Sequence, residues 1–91
     1  MDHDRLARAL NALSNRNRLA LFEAIAKEPD GITTTQAAER AGTLLNTATM
    51  NLKVLEAAGL VASRKDGRSV THKAIGGELE AVIRDLTRMI G

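Results

Sequence analysis

Cysteine is absent from this sequence of 91 residues, and only two histidines occur, His3 and His72. The absence of cysteine excludes disulfide bonds, thiolate metal sites and redox sensing by thiols. The sequence also lacks a glycine-rich phosphate loop and a carboxylate pair placed beside a base. No combination of residues suggests a catalytic site, so we expect a protein that is not an enzyme and that binds no cofactor.

A long apolar run is missing too, and the first ten residues, MDHDRLARAL, do not resemble a signal peptide. Hydrophobic residues make up 44% of the chain and charged residues 26%, which is typical of a soluble globular protein. We therefore expect a cytoplasmic protein, without a membrane partner, that forms one domain over residues 1–91. Such a short chain buries a modest core, so a second subunit would cover more apolar surface, and we expect a homodimer.

Positive charge is concentrated in one part of the chain, although the net charge is only +2. Between positions 53 and 73 there are five basic and two acidic residues, whereas the rest of the chain has eight basic and nine acidic residues. Such a local basic excess favours nucleic-acid binding. The basic residues of this segment are Lys53, Arg64, Lys65, Arg68 and Lys73.

Two helices are predicted before residue 28. Asn15 is a typical N-cap for the second of them, and a turn at residues 29–31 is expected to end it. The first helix spans DRLARALNAL, where the apolar residues at helical spacing are Leu6, Ala9, Leu10 and Leu13. The inner face of the second helix is predicted to consist of Leu19, Phe22, Ile25 and Ala26.

Two further helices follow, with a tight turn between them. Thr33 and Gln36 have the spacing of a capping box, which predicts a third helix that runs to about residue 41 and stops at Gly42. Thr43 is expected to cap a fourth helix that closes at Gly59. Two short helices around a glycine-containing turn form the helix-turn-helix pattern. The inward-facing residues of the fourth helix are predicted to be Ala48, Leu52 and Leu55.

After the fourth helix, apolar residues alternate through LVASRKDGRSVTHKAI, which predicts a β-hairpin with a type I′ turn at Asp66 and Gly67. The exposed tip would carry Arg64, Lys65 and Arg68, where they can meet phosphates. A last helix has an apolar stripe without an evident partner in the chain, so we expect it to form a dimer interface with the first helix. The predicted interface residues are Leu6, Leu10, Leu79, Val82, Ile83, Leu86, Met89 and Ile90.

The order of elements and three segments of the chain resemble the ArsR/SmtB family of bacterial winged-helix repressors. The segments are ALSNRNRLALFEAI, TTTQAAERAG and NLKVLEAAGLVASRKDGRSV. The third is the most specific, because it combines helix, turn, strand and hairpin tip in register and is similar to the family's HLKVLREAGLVRSRREGRWV. The resemblance covers nearly the whole chain.

This resemblance implies a mainly α-helical, dimeric winged helix-turn-helix fold, with element order α-α-α-α-β-β-α and the hairpin as the wing. It also implies a sequence-specific transcriptional regulator, a repressor that binds an inverted-repeat operator in double-stranded DNA as a homodimer. The identity of any effector stays unknown.

Family members often respond to a metal ion, but this sequence departs from both familiar kinds of metal site. One kind uses cysteines near the third helix, and the chain has none. The other needs an Asp-x-His pair and a later histidine on the last helix, and ELEAVIRDLTRMI contains no histidine. His3 lies between two aspartates, but adjacent residues at a chain end rarely converge on one ion. We therefore expect no metal site.

The fourth helix departs from the family as well, since it begins with two leucines where relatives have a polar run. Leu44 is spaced to turn inward with Ala48 and Leu52, so we expect it in the core. Leu45 lies nearer the groove-facing side, where it can make only apolar contact, for example with a thymine methyl group. The expected DNA-contacting residues of this helix are Leu45, Asn46, Thr47, Thr49, Met50, Asn51 and Lys53, the last on a phosphate.

Three other residues have two interpretations each. Arg18 is either a phosphate contact or a structural capping partner. Thr35 either directs its backbone amide at a phosphate or is an ordinary first-turn residue of the third helix. His72 either tunes DNA affinity with pH or is an ordinary strand histidine.

Two alternative functions stay open from the sequence. One is a winged-helix protein-interaction module, such as an antirepressor or adaptor, with an exposed apolar patch around Leu45 and Met50. The other is a regulator whose ligand binds at the dimer interface, although no polar group there can be assigned to such a ligand.

Overall fold

The computed structural model describes residues 2–91, and within this range it has five helices and three strands. The predicted mainly α-helical architecture with a β-hairpin before the last helix is confirmed. No helix in the described part of the chain has the length and apolar character needed to cross a membrane. In chain order the elements are α1 (His3–Leu13), α2 (Arg16–Ala26), β1 (Ile32–Thr33), α3 (Thr34–Ala41), α4 (Leu45–Ala57), β2 (Val61–Asp66), β3 (Ser69–Ala74) and α5 (Gly76–Met89).

The strands form an antiparallel sheet in the order β1-β3-β2. Strand β1 was not predicted, because two residues are too few to show an alternating pattern. The predicted type I′ turn at Asp66 and Gly67 is wrong: Asp66 pairs with Ser69, so the loop residues are Gly67 and Arg68. Of these two loop residues, Gly67 has a positive φ, 65°, and Arg68 does not, as in a type II′ turn.

The main core lies between α2, α3, α4 and the base of the sheet. The predicted inner face of α2 is confirmed at Ile25 and at Phe22, which packs against the core, and is wrong at Leu19, which is 50% exposed, and at Ala26, which is also exposed. Leu21 and Ala24 are buried instead, and Phe22 is half-buried. Both sets of residues recur at helical spacing, so the contacts with α3 and α4 decide which set is buried.

Helix caps follow the predictions at α2 and α3 but not at α4. The Asn15 side chain accepts hydrogen bonds from two backbone amides of α2, and Thr33 and Gln36 form the reciprocal capping box. The predicted Thr43 cap of α4 is wrong. Leu44 occupies the N-cap position without a side-chain hydrogen bond, and the Thr43 hydroxyl donates to the Leu44 carbonyl oxygen.

The expectation that α5 lacks a partner within its own chain is wrong. Val82 is buried against Leu6 and Ala9 of α1, and Leu86 packs on the same cluster. The Arg5 guanidinium donates to both carboxylate oxygens of Glu78, at 2.8 and 2.5 Å, and this hydrogen bonding lowers the pKa of Glu78. Helix α5 is thus held on α1 by a small apolar cluster and one ion pair.

The eight residues predicted for the dimer interface therefore divide into three groups. Leu6 and Val82 are buried within the chain, so the structure assigns them to its own core. Leu79 and Leu86 are half-buried. The remaining four stay exposed, and we call them the terminal apolar set: Leu10, Ile83, Met89 and Ile90.

Candidate nucleic-acid interface

Helix α4 has a buried side and an exposed side. Ala48, Leu52 and Leu55 are at most 3% exposed, as predicted. A residue two positions from a buried one lies about 200° away around a helix, so Asn46 and Met50 fall on the opposite side, and both are exposed. The outward side of α4 therefore carries the amide of Asn46 and the thioether of Met50. The ammonium group of Lys53 follows one turn further on.

Leu44 contradicts the prediction that it packs in the core, because its side chain is 78% exposed. Its backbone is extended, with φ −69° and ψ 150°, since it precedes the first helical residue. The helical spacing that links it to Ala48 therefore does not apply. Leu45 begins the helix and is 50% exposed, so two leucines stand at the surface where α4 starts.

Arg18 and Asn51, both predicted to contact DNA, bond to each other. The Arg18 guanidinium donates to the backbone oxygens of Ala12 and Asn11, at 2.7 and 3.3 Å, and to the Asn51 side-chain oxygen at 3.3 Å. Of the two interpretations of Arg18, these contacts favour the structural one. Asn51 is half-buried and ties α4 to Arg18 of α2, which in turn bonds to the end of α1, and this leaves Asn51 poorly placed to read a base.

Thr47 lies one helical turn before Asn51, on the same flank of α4, and is also half-buried. Thr49 lies on the opposite flank and is exposed, but its hydroxyl donates to the Leu45 carbonyl oxygen at 2.9 Å. Four polar Asn and Thr side chains were expected to read bases. Of these, Asn46 alone is exposed and has an amide group that forms no hydrogen bond within residues 2–91.

The start of α4 faces the wing across a shallow surface depression. Leu45 and Thr49 line it from α4, Thr35 lines it from the first turn of α3, and Arg68 lines it from the hairpin loop. The structure therefore brings together residues from three predicted contact regions: two from α4, one from α3 and one from the wing. Arg68 is the only charged residue among those that line the depression; the others are Thr33, Thr34, Ser69 and Val70.

The three basic residues of the wing are exposed, as predicted. Arg64 pairs with Thr71 and Lys65 with Val70, so their side chains point to opposite faces of the hairpin. The nearest acidic partner, Asp66, lies 3.9 Å from Arg64, and both side chains are more than 70% exposed, so this contact contributes little. The wing presents positive charge on both faces and at its loop.

His72 has a position that was not predicted. It is 4% exposed at the centre of the sheet, with Nδ1 2.7 Å from the Ser63 hydroxyl and Nε2 2.7 Å from the Thr34 hydroxyl. Burial lowers the pKa of His72, against a smaller opposite effect of Glu56. The side chain thus joins the wing to the first residue of α3. Strand alternation could have indicated it, because His72 shares one face with Val70 and Ala74.

A family model described as a helix-turn-helix domain matches residues 13–64. Among solved structures, an ArsR-like transcriptional regulator from Rhodococcus sp. RHA1 is 29% identical and superposes with a TM-score of 0.86, covering 96% of this chain and 80% of that one. A homodimeric winged helix-turn-helix DNA-binding domain from Mycobacterium bovis, a possible ArsR-family regulator, is 28% identical with a TM-score of 0.75 over 93% and 80% of the two chains.

NolR from Sinorhizobium fredii has the same fold at 21% identity and a TM-score of 0.75, over 94% of this chain and 84% of that one. No curated protein matches the sequence. The comparisons confirm the winged helix-turn-helix architecture and the resemblance to ArsR-family regulators. They support a role among DNA-binding transcriptional regulators, and the matched fold is one of DNA binding rather than of catalysis.

Proposed function

We propose that this chain, which belongs to the helix-turn-helix domain family, is a homodimeric, sequence-specific transcriptional regulator that represses by binding an inverted-repeat operator. One α4 helix from each subunit would enter one of two successive major grooves, and the wings would hold the flanking backbone. The observation that carries the proposal is the outward side of α4, which stands clear of its own chain beside a basic wing.

The proposed contacts divide into base readers and phosphate contacts. Asn46 has the side chain that can donate and accept on an adenine edge, and Leu45, Thr49 and Met50 lie beside it. Lys53 and the wing residues Arg64, Lys65 and Arg68 supply the charge that phosphates require. The Thr35 amide, in the first turn of α3, adds a weaker backbone contact.

The terminal apolar set supports the proposed dimer. Ile83, Met89 and Ile90 are 50% to 89% exposed on or just after α5, and Leu10 is 43% exposed on α1. The Mycobacterium bovis domain that resembles this chain is homodimeric. The proposal requires that a twofold axis through these helices place the two α4 helices about 34 Å apart, which is the spacing of successive major grooves.

We further propose that regulation does not use either familiar metal site of the ArsR family. The sequence has no cysteine, and α5 contains no histidine. Within residues 2–91, no three side chains of the metal-binding types come together.

The test is selection of bound duplexes from a random DNA pool, followed by titration of the selected operator at several salt concentrations. The expected result is an inverted repeat, with a slope of log affinity against log salt near −5 if about six phosphates are contacted. A pool without an enriched inverted repeat, or an affinity that does not change with salt, contradicts the proposal.

A protein-interaction module is the second candidate, and the exposure of Leu44, Leu45 and Met50 favours it. The same titration separates the two functions. A module that binds only proteins would enrich no sequence from the pool. Replacing Arg68 or Lys53 by glutamine would then affect its weak, non-specific DNA binding equally for all sequences.

A further inference from the structure

Three large apolar side chains are exposed where α4 begins and along its first turns. Leu44 is 78% exposed, Leu45 50% and Met50 70%, and we call them the α4 apolar set. The N-terminal residues of a recognition helix are those that reach base edges. If the proposed function is correct, these side chains enter the major groove together with Asn46.

Hydrogen-bond readout by this helix is limited. Asn51 accepts from Arg18, Thr47 is half-buried, and the Thr49 hydroxyl donates its proton to the Leu45 carbonyl oxygen. Asn46 alone keeps an exposed amide with both a donor and an acceptor. One such residue in a half-site discriminates few base pairs, so apolar contact by the exposed side chains of α4 would add to the discrimination.

The surroundings of Leu45 indicate the kind of surface that the start of α4 meets. Arg68 is the sole charged residue that lines the depression beside Leu45, the remaining lining residues are hydroxyl-bearing or apolar, and no carboxylate is among them. Lys53 is exposed further along the same helix. A partner that combines negative charge with apolar groups would complement this surface.

The major groove of an A·T pair has this combination. The 5-methyl group of thymine is the apolar group that bases present in that groove, and the phosphates lie at its edges. We propose that Leu45 and Met50 are specificity-determining residues that contact thymine 5-methyl groups, on either side of the base pair that Asn46 reads. The operator half-site is then rich in A·T pairs, and its thymines are recognised by their methyl groups.

This inference rests on the proposed function, and deoxyuridine tests it separately. Deoxyuridine keeps the hydrogen-bonding groups of thymidine and lacks only the 5-methyl group. Each thymine of the selected operator is replaced in turn, and the Kd is measured. At one or two positions in each half-site the affinity should fall about fourfold, as expected when burial of one methyl group is lost.

The same deoxyuridine series is measured with the variants Leu45→Ala and Met50→Ala. It shows which side chain contacts which thymine methyl group. Each variant should lose the effect of deoxyuridine at its own position and keep it at the other. Leu19→Ala is the matched control, because Leu19 is also 50% exposed but lies on α2, and it should keep both effects. Thermal melting confirms that the variants fold, which is expected because the substituted side chains are exposed.

The outcomes separate the two proposals. Tight binding of an inverted repeat with no effect of deoxyuridine at any position overturns the thymine inference and leaves the proposed function standing. A deoxyuridine effect that persists undiminished at every sensitive position in both Leu45→Ala and Met50→Ala also overturns it. Failure to bind any duplex overturns both proposals.

Discussion

The α4 apolar set and the terminal apolar set differ in their charged neighbours. The α4 apolar set is 50% to 78% exposed and the terminal apolar set 43% to 89%, so exposure does not distinguish them. Arg68 is the charged residue that lines the depression beside the first, and Lys53 and Glu56 follow further along α4. The second shares α5 with charges of both signs: Glu80, Arg84, Asp85 and Arg88. The charge around an apolar surface, rather than its exposure, indicates whether its partner is a polyanion or a second copy of the chain.

The largest expected effect comes from a charge placed within the terminal apolar set. Ile83→Asp should give a monomer, because a carboxylate would be buried without a partner at the proposed interface. Loss of the second half-site contact should then weaken operator binding by about 100-fold or more. Sedimentation gives the mass and a gel-shift titration the affinity.

Leu19→Asp is the matched control for this prediction, because Leu19 is an exposed leucine outside both apolar sets. It should remain a dimer with unchanged affinity. An Ile83→Asp protein that stays dimeric at micromolar concentration would show that the terminal apolar set is not the interface.

A smaller effect is expected when the charges near α4 are removed. Replacing Arg64, Lys65 and Arg68 together by glutamine should make the log–log salt slope shallower by about three and lower the affinity at least about tenfold. The enriched sequence should not change, because these residues are assigned to phosphates. Lys27→Gln, which removes an exposed cation paired with Glu23 at 3.9 Å, should leave the slope as it is.

The smallest expected effect is on the pH dependence of stability. It distinguishes His72, which joins the wing to α3, from Glu78, which pairs α5 with α1. Because burial lowers the pKa of His72 below its ordinary 6.5, the unfolded chain binds a proton there more readily than the folded one. The stability due to neutral His72 is complete above pH 6.5 and is lost as the pH falls below it, by no more than about 1.4 kcal/mol per pH unit.

Glu78, on α5, has a pKa that the hydrogen bond with Arg5 lowers from its ordinary 4.5. The stability due to its ionised carboxylate is therefore complete above pH 4.5 and is lost only as the pH falls below that value. Chemical denaturation between pH 7 and 5 should therefore show a loss in the natural protein that is absent from His72→Gln. His3→Gln, the control, should retain the loss. A flat profile in the natural protein would show that His72 is not held neutral by its surroundings.

Local patterns in the sequence were sufficient for much of the fold. The capping box of Thr33 and Gln36, the Asn15 cap and the alternation of β2 and β3 each depend on residues within a few positions of one another. The exposed wing cations and the outward positions of Asn46 and Met50 followed from the same patterns.

Several of the features that were missed depend on contacts distant in sequence. Which side of α2 is buried depends on α3 and α4, and β1 exists only because β3 lies beside it. The bond between Arg18 and Asn51 joins residues 33 positions apart, and it removes a predicted base reader. Leu44 was placed in the core because helical spacing was extended one residue beyond the start of the helix.

The most direct test of the account is an amide NMR titration of the protein with the selected operator duplex. The account predicts the largest shifts in residues 44–53, with further shifts in the wing at 64–69 and at the start of α3. Signals of α5 should change little between the free and bound dimer. Shifts confined to α1 and α5, with α4 unaffected, would show that the outward side of α4 does not contact DNA.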